Sequence, residues 1–231
     1  MNTQAMVERL FPMLITGDRN GARSTVQEWL GEGLVSEALT QEVYWPLLEL
    51  VDDLFRRDQL TTLAHHYATR LLRSLVDQAQ ANYRQKDRCG RTMMLFCGGT
   101  EADDLAAQMV ADLAEADGYE VSFGGGGIAY DELLGAVQEQ QPDVLLMFSS
   151  AASDAPNIRR LIDTIRSIGA CPDTQIAVGG GVFTRAQGLA EEIGADLWSN
   201  SPADMIARMN AEPTRRATAD QRTVGQSRAA A

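Results

Sequence analysis

The sequence predicts an α/β protein with an N-terminal four-helix bundle and a C-terminal five-stranded parallel sheet of the flavodoxin or Rossmann type. Apolar residues recur at helical spacing through residues 1–86. Short apolar runs then alternate with helical segments between residues 90 and 210, and small residues follow most of these runs. Residues 211–231 carry almost no large apolar side chains, which predicts a disordered tail.

Four amphipathic segments make up the helical half, which we call the cap. The first places Met6 and Leu10 on one stripe, and the third runs as one helix over residues 36–57. The fourth begins after Thr61, a favourable N-cap residue. Short links between such helices predict a bundle, and we expect Trp45 and Tyr67 in its core.

The second half alternates predicted strands with predicted helices. The strands are expected at residues 91–97, 120–123, 144–148, 175–178 and 196–198. The helices are expected at residues 101–116, 131–139, 158–168, 185–193 and 203–209. This alternation indicates parallel strands with helices on both faces. In such a sheet, ligands bind at the carboxyl ends of the strands.

Small residues mark those carboxyl ends at residues 98–99, 124–127, 149–153 and 179–181. Glycine lets a ligand approach the backbone closely, so these loops predict a broad, flat ligand surface. The alternative is that turns between strands and helices simply favour glycine.

Composition excludes several classes of function. The net charge of −12 argues against direct binding to nucleic acid. No apolar run is long enough for a membrane span, and the first residues lack a secretory pattern, so we expect a cytoplasmic protein. The only histidines are the adjacent His65 and His66, so no Ser/His/Asp or Cys/His set is available and we expect a non-catalytic protein.

Three segments of the second half resemble the cobalamin-binding, or corrinoid-binding, protein family. Residues 113–121 resemble the end of that family's first helix and its second strand, and residues 141–146 resemble its third strand. Residues 178–182 resemble the family's VGG loop, where the corrin ring rests. The resemblance implies cobalamin, or another tetrapyrrole such as biliverdin or haem, between the cap and the Rossmann-like domain.

The cap is similar to that of light-sensing cobalamin-dependent repressors, which carry a W-x9-EH motif. When the motif is aligned with this sequence, Phe55 occupies the tryptophan position, His65 the glutamate position and His66 the histidine position. Arg56 stands where the repressors have a light-state cobalt ligand, and a guanidinium there would suit a carboxylate. His66 is therefore the candidate axial ligand to a metal; an interface role is the alternative.

The family's DxHxxG motif, which supplies the lower cobalt ligand and room for the nucleotide tail, is altered. The same frame here has Glu101, Asp103 and Ala106. Phe148 stands where the family has a serine that touches the tail base, with Ser149 next. An oxygen replaces the imidazole nitrogen that cobalt favours, and the added methyl and ring crowd the slot. The resemblance therefore implies a corrinoid cradle without its usual cobalt ligand.

Three hypotheses follow. The first is a sensory or regulatory module that binds cobalamin or another tetrapyrrole and acts through an unidentified protein partner or a homodimer. The alternatives are a corrinoid carrier subunit of a methyltransferase and a ligand-free interaction scaffold. The candidate cofactor-binding residues are Phe55, Arg56, His65, His66, Glu101, Asp103, Ala106, Gly125, Phe148, Ser149, Ser150, Gly179, Gly180 and Gly181.

Overall fold

Two units make up the chain, residues 1–86 and residues 87–231. A computed structural model describes residues 2–169, 171–218 and 221. Most of the predicted disordered tail lies outside the described residues.

All regular secondary structure in the described residues of unit 1 is helical. Its helices are α1 (Thr3–Thr16), α2 (Arg19–Gly31), α3 (Ser36–Leu39), α4 (Trp45–Arg56) and α5 (Thr62–Gln80). Helix α1 packs against α5 and α2, and α4 packs against α5. Leu10, Leu47 and Leu72 are fully buried between them. The predicted helical bundle is confirmed, with α3 and α4 together occupying the third predicted helix.

The third predicted helix contains a feature that its sequence pattern does not show. A five-residue π-helical segment, Thr40–Tyr44, joins α3 to α4, and the Trp45 N–H bonds to the Thr40 carbonyl five residues back. Pro46 follows at once and has no N–H to continue the ladder. The prediction that Tyr67 lies in the core is wrong. Its side chain is 43% exposed, and its ring lies beside Gly17.

Unit 2 contains the predicted five-stranded parallel sheet. Its strands are β1 (Thr92–Cys97), β2 (Glu120–Gly125), β3 (Val144–Phe148), β4 (Gln175–Gly179) and β5 (Leu197–Ser199), in the order β2-β1-β3-β4-β5. The helices are α6 (Glu101–Ala116), α7 (Tyr130–Gln140), α8 (Ala155–Ile168), α9 (Gly181–Arg185), α10 (Leu189–Glu192) and α11 (Pro202–Ala211). The single helix expected at residues 185–193 is therefore wrong. Gly188 has a φ of 81° there and separates α9 from α10.

The core of unit 2 explains why β3 is apolar throughout and why β4 is apolar after Gln175. Both strands are fully buried, as expected for parallel strands covered on two faces. Helices α7 and α8 contact each other, and α6 contacts α11. The chain leaves β1 towards one edge of the sheet and β3 towards the other, so the order reverses between these two strands. Open α/β sheets bind ligands outside such a switch point.

Two hydrogen bonds join the described part of the tail to polar side chains of the sheet. The Gln175 side chain donates to the Glu212 carbonyl at 2.7 Å, and the Ala217 N–H donates to the Asp196 carboxylate at 2.6 Å. Polar side chains of the sheet thus contact this segment, and the disorder expected for residues 211–231 stays a prediction.

We expect Asp196→Ala to lower the free energy of unfolding by about 3 kcal/mol. The Asp196 side chain is fully buried and accepts from Arg166 at 2.5 Å and from the Ile176 N–H at 2.6 Å, besides the bond from Ala217. Asp163→Ala is the control, because its pair with Arg159 spans 3.8 Å between half-exposed side chains. Urea unfolding followed by circular dichroism measures both, and equal losses would contradict the prediction.

Candidate functional site

Asp103 lies at the start of helix α6, below the carboxyl end of β1. The N-cap Thr100 accepts the Asp103 backbone N–H at 3.0 Å, and its hydroxyl donates to the Asp103 carboxylate at 2.8 Å. Only 2% of Asp103 is exposed. The residue in the frame of the cobalt-binding histidine is thus a buried, hydrogen-bonded carboxyl.

Burial raises the pKa of the Asp103 carboxyl above its ordinary value. Hydrogen bonds from Thr100 and Ser150 lower it, while the nearby Asp154 carboxylate raises it further. Burial outweighs the hydrogen bonds because a charged carboxylate loses its hydration inside the protein.

Ser149 and Asp154 tie the end of β3 to the start of α8. Ser149 is fully buried, and its hydroxyl donates to Asp154 at 2.7 Å. The Asp103 and Asp154 carboxylates converge on Gly98, where an added Cβ would lie 2.5 Å and 2.8 Å from their oxygens. The loops after β1 and β3 are therefore held together around a glycine that no larger residue could replace without movement.

A second serine–aspartate hydrogen bond joins the end of β5 to the start of α11. The Ser199 hydroxyl donates to Asp204 at 2.7 Å, with the same five-residue separation as Ser149 and Asp154. Ser149, singled out beside the family's tail-contacting serine, thus has a role within the chain's own fold.

Aromatic rings explain two of the glycines in the predicted ligand surface. An added Cβ at Gly179 would lie 2.4 Å from the ring of Phe148, and one at Gly124 would lie 2.6 Å from the ring of Phe96. Phe148 itself is only 4% exposed. These glycines therefore make room for the chain's own side chains.

The remaining candidate glycines fall into two groups. Gly180 is buried, and an added Cβ there would contact the Ser149 carbonyl. An added Cβ at Gly181 would contact the flexible Arg185 guanidinium. Gly125 and Gly127 have positive φ angles of 73° and 76°, and an added Cβ at Gly127 has no atom within 4 Å. Gly127 is therefore the open position of the loop at residues 124–127, since an added Cβ at Gly125 or Gly126 would lie 3.0 Å or 2.2 Å from its nearest atom.

A cavity of about 320 Å³ lies at the switch point between β1 and β3. Phe96, Met147 and Leu161 give it an apolar wall, while Asp154 and Asn157 add polar groups. Of the predicted site residues, Phe148 and Ser149 line it, whereas Asp103 and Ala106 do not. Asn157 was not predicted as a site residue, although its place in the first turn of the helix after β3 is a signal for one.

The candidate residues of the cap lie on α4 and α5 of unit 1. His65 is 8% exposed and stacks on Phe55 with ring centroids 4.1 Å apart, whereas His66 is exposed. Arg56 pairs with Asp52 at 2.9 Å and with Asp53 at 3.1 Å on its own helix. Within the described ranges, no cluster of three or more His, Cys, Asp or Glu side chains is arranged to hold a metal ion.

The raised pKa of Asp103 predicts how stability depends on pH. A carboxyl whose pKa is higher in the folded state stabilises the fold fully below its unfolded pKa, near 4, and that contribution is lost as pH rises through the folded pKa. We therefore expect Asp103→Asn, which cannot ionise, to gain stability relative to the wild type as pH rises through this window. Urea unfolding between pH 4 and pH 8 measures the difference.

Glu101→Gln is the matched control, because it removes a negative charge from an exposed position on the same helical turn. A loss of stability of Asp103→Asn relative to the wild type as pH rises would contradict the assignment.

Both halves of the chain match models of cobalamin-binding domains. Residues 91–205 match a family described as B12 binding domain, and residues 6–80 match a second family of the same description. The chain belongs to the cobalamin-binding domain family, which confirms the resemblance inferred from the sequence.

Among curated proteins, trimethylamine corrinoid protein 2 of Methanosarcina acetivorans is 22% identical over 197 residues, covering 84% of this chain and 90% of that protein. Among solved structures, the monomethylamine corrinoid protein of Methanosarcina barkeri matches 90% of this chain and 98% of its own, with a TM-score of 0.75 at 15% identity. The methanol:cobalamin methyltransferase complex of Methanosarcina barkeri matches 94% of this chain and 83% of its own, with a TM-score of 0.50 at 16% identity.

These comparisons confirm the fold and support a corrinoid as the ligand class, but give no support to haem, biliverdin or a light-sensing role. Within the part of the chain that the structure describes, no helix is long and apolar enough to cross a membrane. The site residues stay predictions.

Proposed function

We propose that this chain is a corrinoid protein that carries its cofactor for a partner methyltransferase. The observation that carries the proposal is the sequence similarity to trimethylamine corrinoid protein 2, which is 22% identical over 84% of this chain and 90% of that protein. This favours the carrier alternative over the sensory hypothesis, for which the comparisons give no support.

The carboxyl edge of the sheet is the part of unit 2 suited to the corrin ring. When bound, the corrinoid supplies a cobalt that accepts and releases a methyl group. Gly125 and Gly127 allow close approach of a flat ligand, since the loop at residues 124–127 carries no side chains. Thr100, Ser149 and Asp154 hold the neighbouring loops in place. The exposed His66 of the cap stays a candidate cobalt ligand.

The residues in the tail slot do not fit a corrinoid bound in the family's usual mode. Asp103 offers an oxygen instead of an imidazole nitrogen, and both Ala106 and Phe148 are buried. We therefore assign the tail slot no part in carrying the cofactor.

One observation favours a second candidate function, a ligand-free interaction scaffold. The carboxyls of Asp103 and Asp154 and the ring of Phe148 fill space next to Gly98 and Gly179. The packing next to these two glycines therefore needs no cofactor.

Binding of hydroxocobalamin to the full-length protein separates the two candidates. We expect cobalamin to co-elute with the protein after desalting, at one equivalent per chain, with a visible spectrum that differs from free cobalamin. Haem and biliverdin serve as controls and should not be retained. A colourless protein that retains none of these would overturn the carrier proposal and support the scaffold.

Methyl transfer tests the carrier role itself. The chain loaded with methylcobalamin is mixed with a corrinoid-dependent methyltransferase and a thiol acceptor. We expect the methylcobalamin spectrum to disappear faster than it does for free methylcobalamin at the same concentration. An equal or slower rate would contradict the carrier role while leaving cobalamin binding intact.

A further inference from the structure

We infer, on the basis of the proposed function, that this chain binds cobalamin with the cofactor's own benzimidazole base kept on the cobalt. The usual family mode removes that base, buries the nucleotide tail and replaces the base with a histidine. Three independent features of unit 2 oppose that exchange.

The first feature is the ligand atom. The only histidines of the chain are His65 and His66, so unit 2 has no imidazole to offer. Asp103 is 2% exposed, and its carboxyl already accepts the Thr100 hydroxyl at 2.8 Å and hydrogen bonds from Ser150. Turning this carboxyl towards cobalt would leave those donors without their acceptor, which is costly inside a protein. The benzimidazole nitrogen is the better ligand for cobalt.

The second feature is the space for the tail. Ala106 is 8% exposed and Phe148 is 4% exposed, and the Phe148 ring rests on the backbone at Gly179. Gly98 is wedged between the Asp103 and Asp154 carboxylates. The cavity of about 320 Å³ that Phe148 and Ser149 help to line does not reach Asp103 or Ala106. A nucleotide tail directed past Asp103 and Ala106 would therefore have to separate the carboxylates, and packed interiors resist such insertion.

The third feature is the hydroxyl group beside the slot. Ser149 stands next to the position where the family's serine touches the tail base, yet its hydroxyl donates to Asp154 at 2.7 Å. Its backbone N–H is used as well, by the Gly179 carbonyl at 3.0 Å. The end of β3 therefore offers the tail base no free donor from this residue. The benzimidazole base therefore stays bound to cobalt, because the slot offers no better ligand for cobalt and no free Ser149 donor for the base.

Electron paramagnetic resonance of cob(II)alamin bound to the uniformly nitrogen-15-labelled full-length chain tests this inference. The unpaired electron of cob(II)alamin couples to its axial nitrogen, and the two nitrogen isotopes differ in nuclear spin. The cofactor's own nitrogen-14 base gives a triplet splitting, a protein imidazole gives a doublet, and an oxygen ligand gives no splitting. We expect the triplet, both in the wild type and in Asp103→Asn.

The other outcomes separate the inference from the proposed function. Retained cobalamin with a doublet would overturn the inference and leave corrinoid binding standing; His65→Ala and His66→Ala would then identify the ligand. Retained cobalamin without splitting would also overturn it, in favour of Asp103 as an oxygen ligand if Asp103→Asn restores the triplet. Failure to retain cobalamin at all would instead remove the proposed function on which the inference rests.

Discussion

A triple variant carrying Asp103→His, Ala106→Gly and Phe148→Ser should bind cobalamin about 30-fold more tightly than the wild type, with an imidazole as the lower ligand. Each group that intrudes into a filled site costs about 1–3 kcal/mol, and every 1.4 kcal/mol corresponds to about tenfold in affinity. Removing the Ala106 methyl and the Phe148 ring should therefore contribute about 2 kcal/mol or more. Absorbance titration gives the affinity, and the doublet from a nitrogen-15-labelled protein identifies the ligand.

The double variant Asp103→His, Ala106→Gly is the matched control. It supplies the histidine but keeps the Phe148 ring against Gly179, so we expect affinity near that of the wild type and the triplet of the cofactor's own base. Replacing a buried phenylalanine costs about 3–5 kcal/mol of stability, so circular dichroism must first show that the triple variant is folded. A doublet in the double variant would show that Phe148 does not close the slot. A folded triple variant that binds no more tightly would contradict the slot assignment itself.

Gly180→Ala should lower the free energy of unfolding by about 3 kcal/mol or more. Gly180 has a φ of 102° and a ψ of 169°, a conformation that side-chain-bearing residues rarely adopt. An added Cβ would also lie 2.3 Å from the carbonyl oxygen of Ser149, which is backbone and cannot rotate away. The Ser149 carbonyl accepts the Val182 N–H at 3.3 Å, so the strain would reach helix α9.

Gly99→Ala provides the control for this prediction. Gly99 lies in another loop of the same sheet edge, and an added Cβ there has no atom within 4 Å. We expect its stability to stay within about 0.5 kcal/mol of the wild type in urea unfolding. Similar losses in the two variants would show that the close approach at Gly180 is relieved by movement of the loop.

The sequence predicts the elements of this fold well where periodicity and local capping agree. Helix α6 spans Glu101–Ala116, as expected, because Thr100 caps an uninterrupted amphipathic pattern. The π-helical segment at Thr40–Tyr44 could not be foreseen, since its apolar pattern continues that of the flanking helices. The break at Gly188 shows the opposite error, in which a helical pattern concealed two short helices.

The candidate site was predictable in its residue types and not in its contacts. The motif frame identifies Asp103, Ala106 and Phe148 as departures from the family from local sequence alone. It cannot show that Asp103 bonds to Ser150 or that Phe148 rests on Gly179, because each contact joins different strands and loops of the sheet. The sequence likewise could not show why position 179 is a glycine, because the ring that requires it comes from a neighbouring strand.

The serine–aspartate pairs at the ends of β3 and β5 have a consequence for how the protein acquires its cofactor. Ser149 with Asp154 and Ser199 with Asp204 hold their loops through bonds internal to the chain. A loop that is ordered before binding loses little conformational entropy when the ligand arrives. We therefore expect the chain to fold without its cofactor and to bind the corrinoid afterwards. The concentration of corrinoid in the cell, rather than the yield of folding, would then set the fraction of chains that carry it.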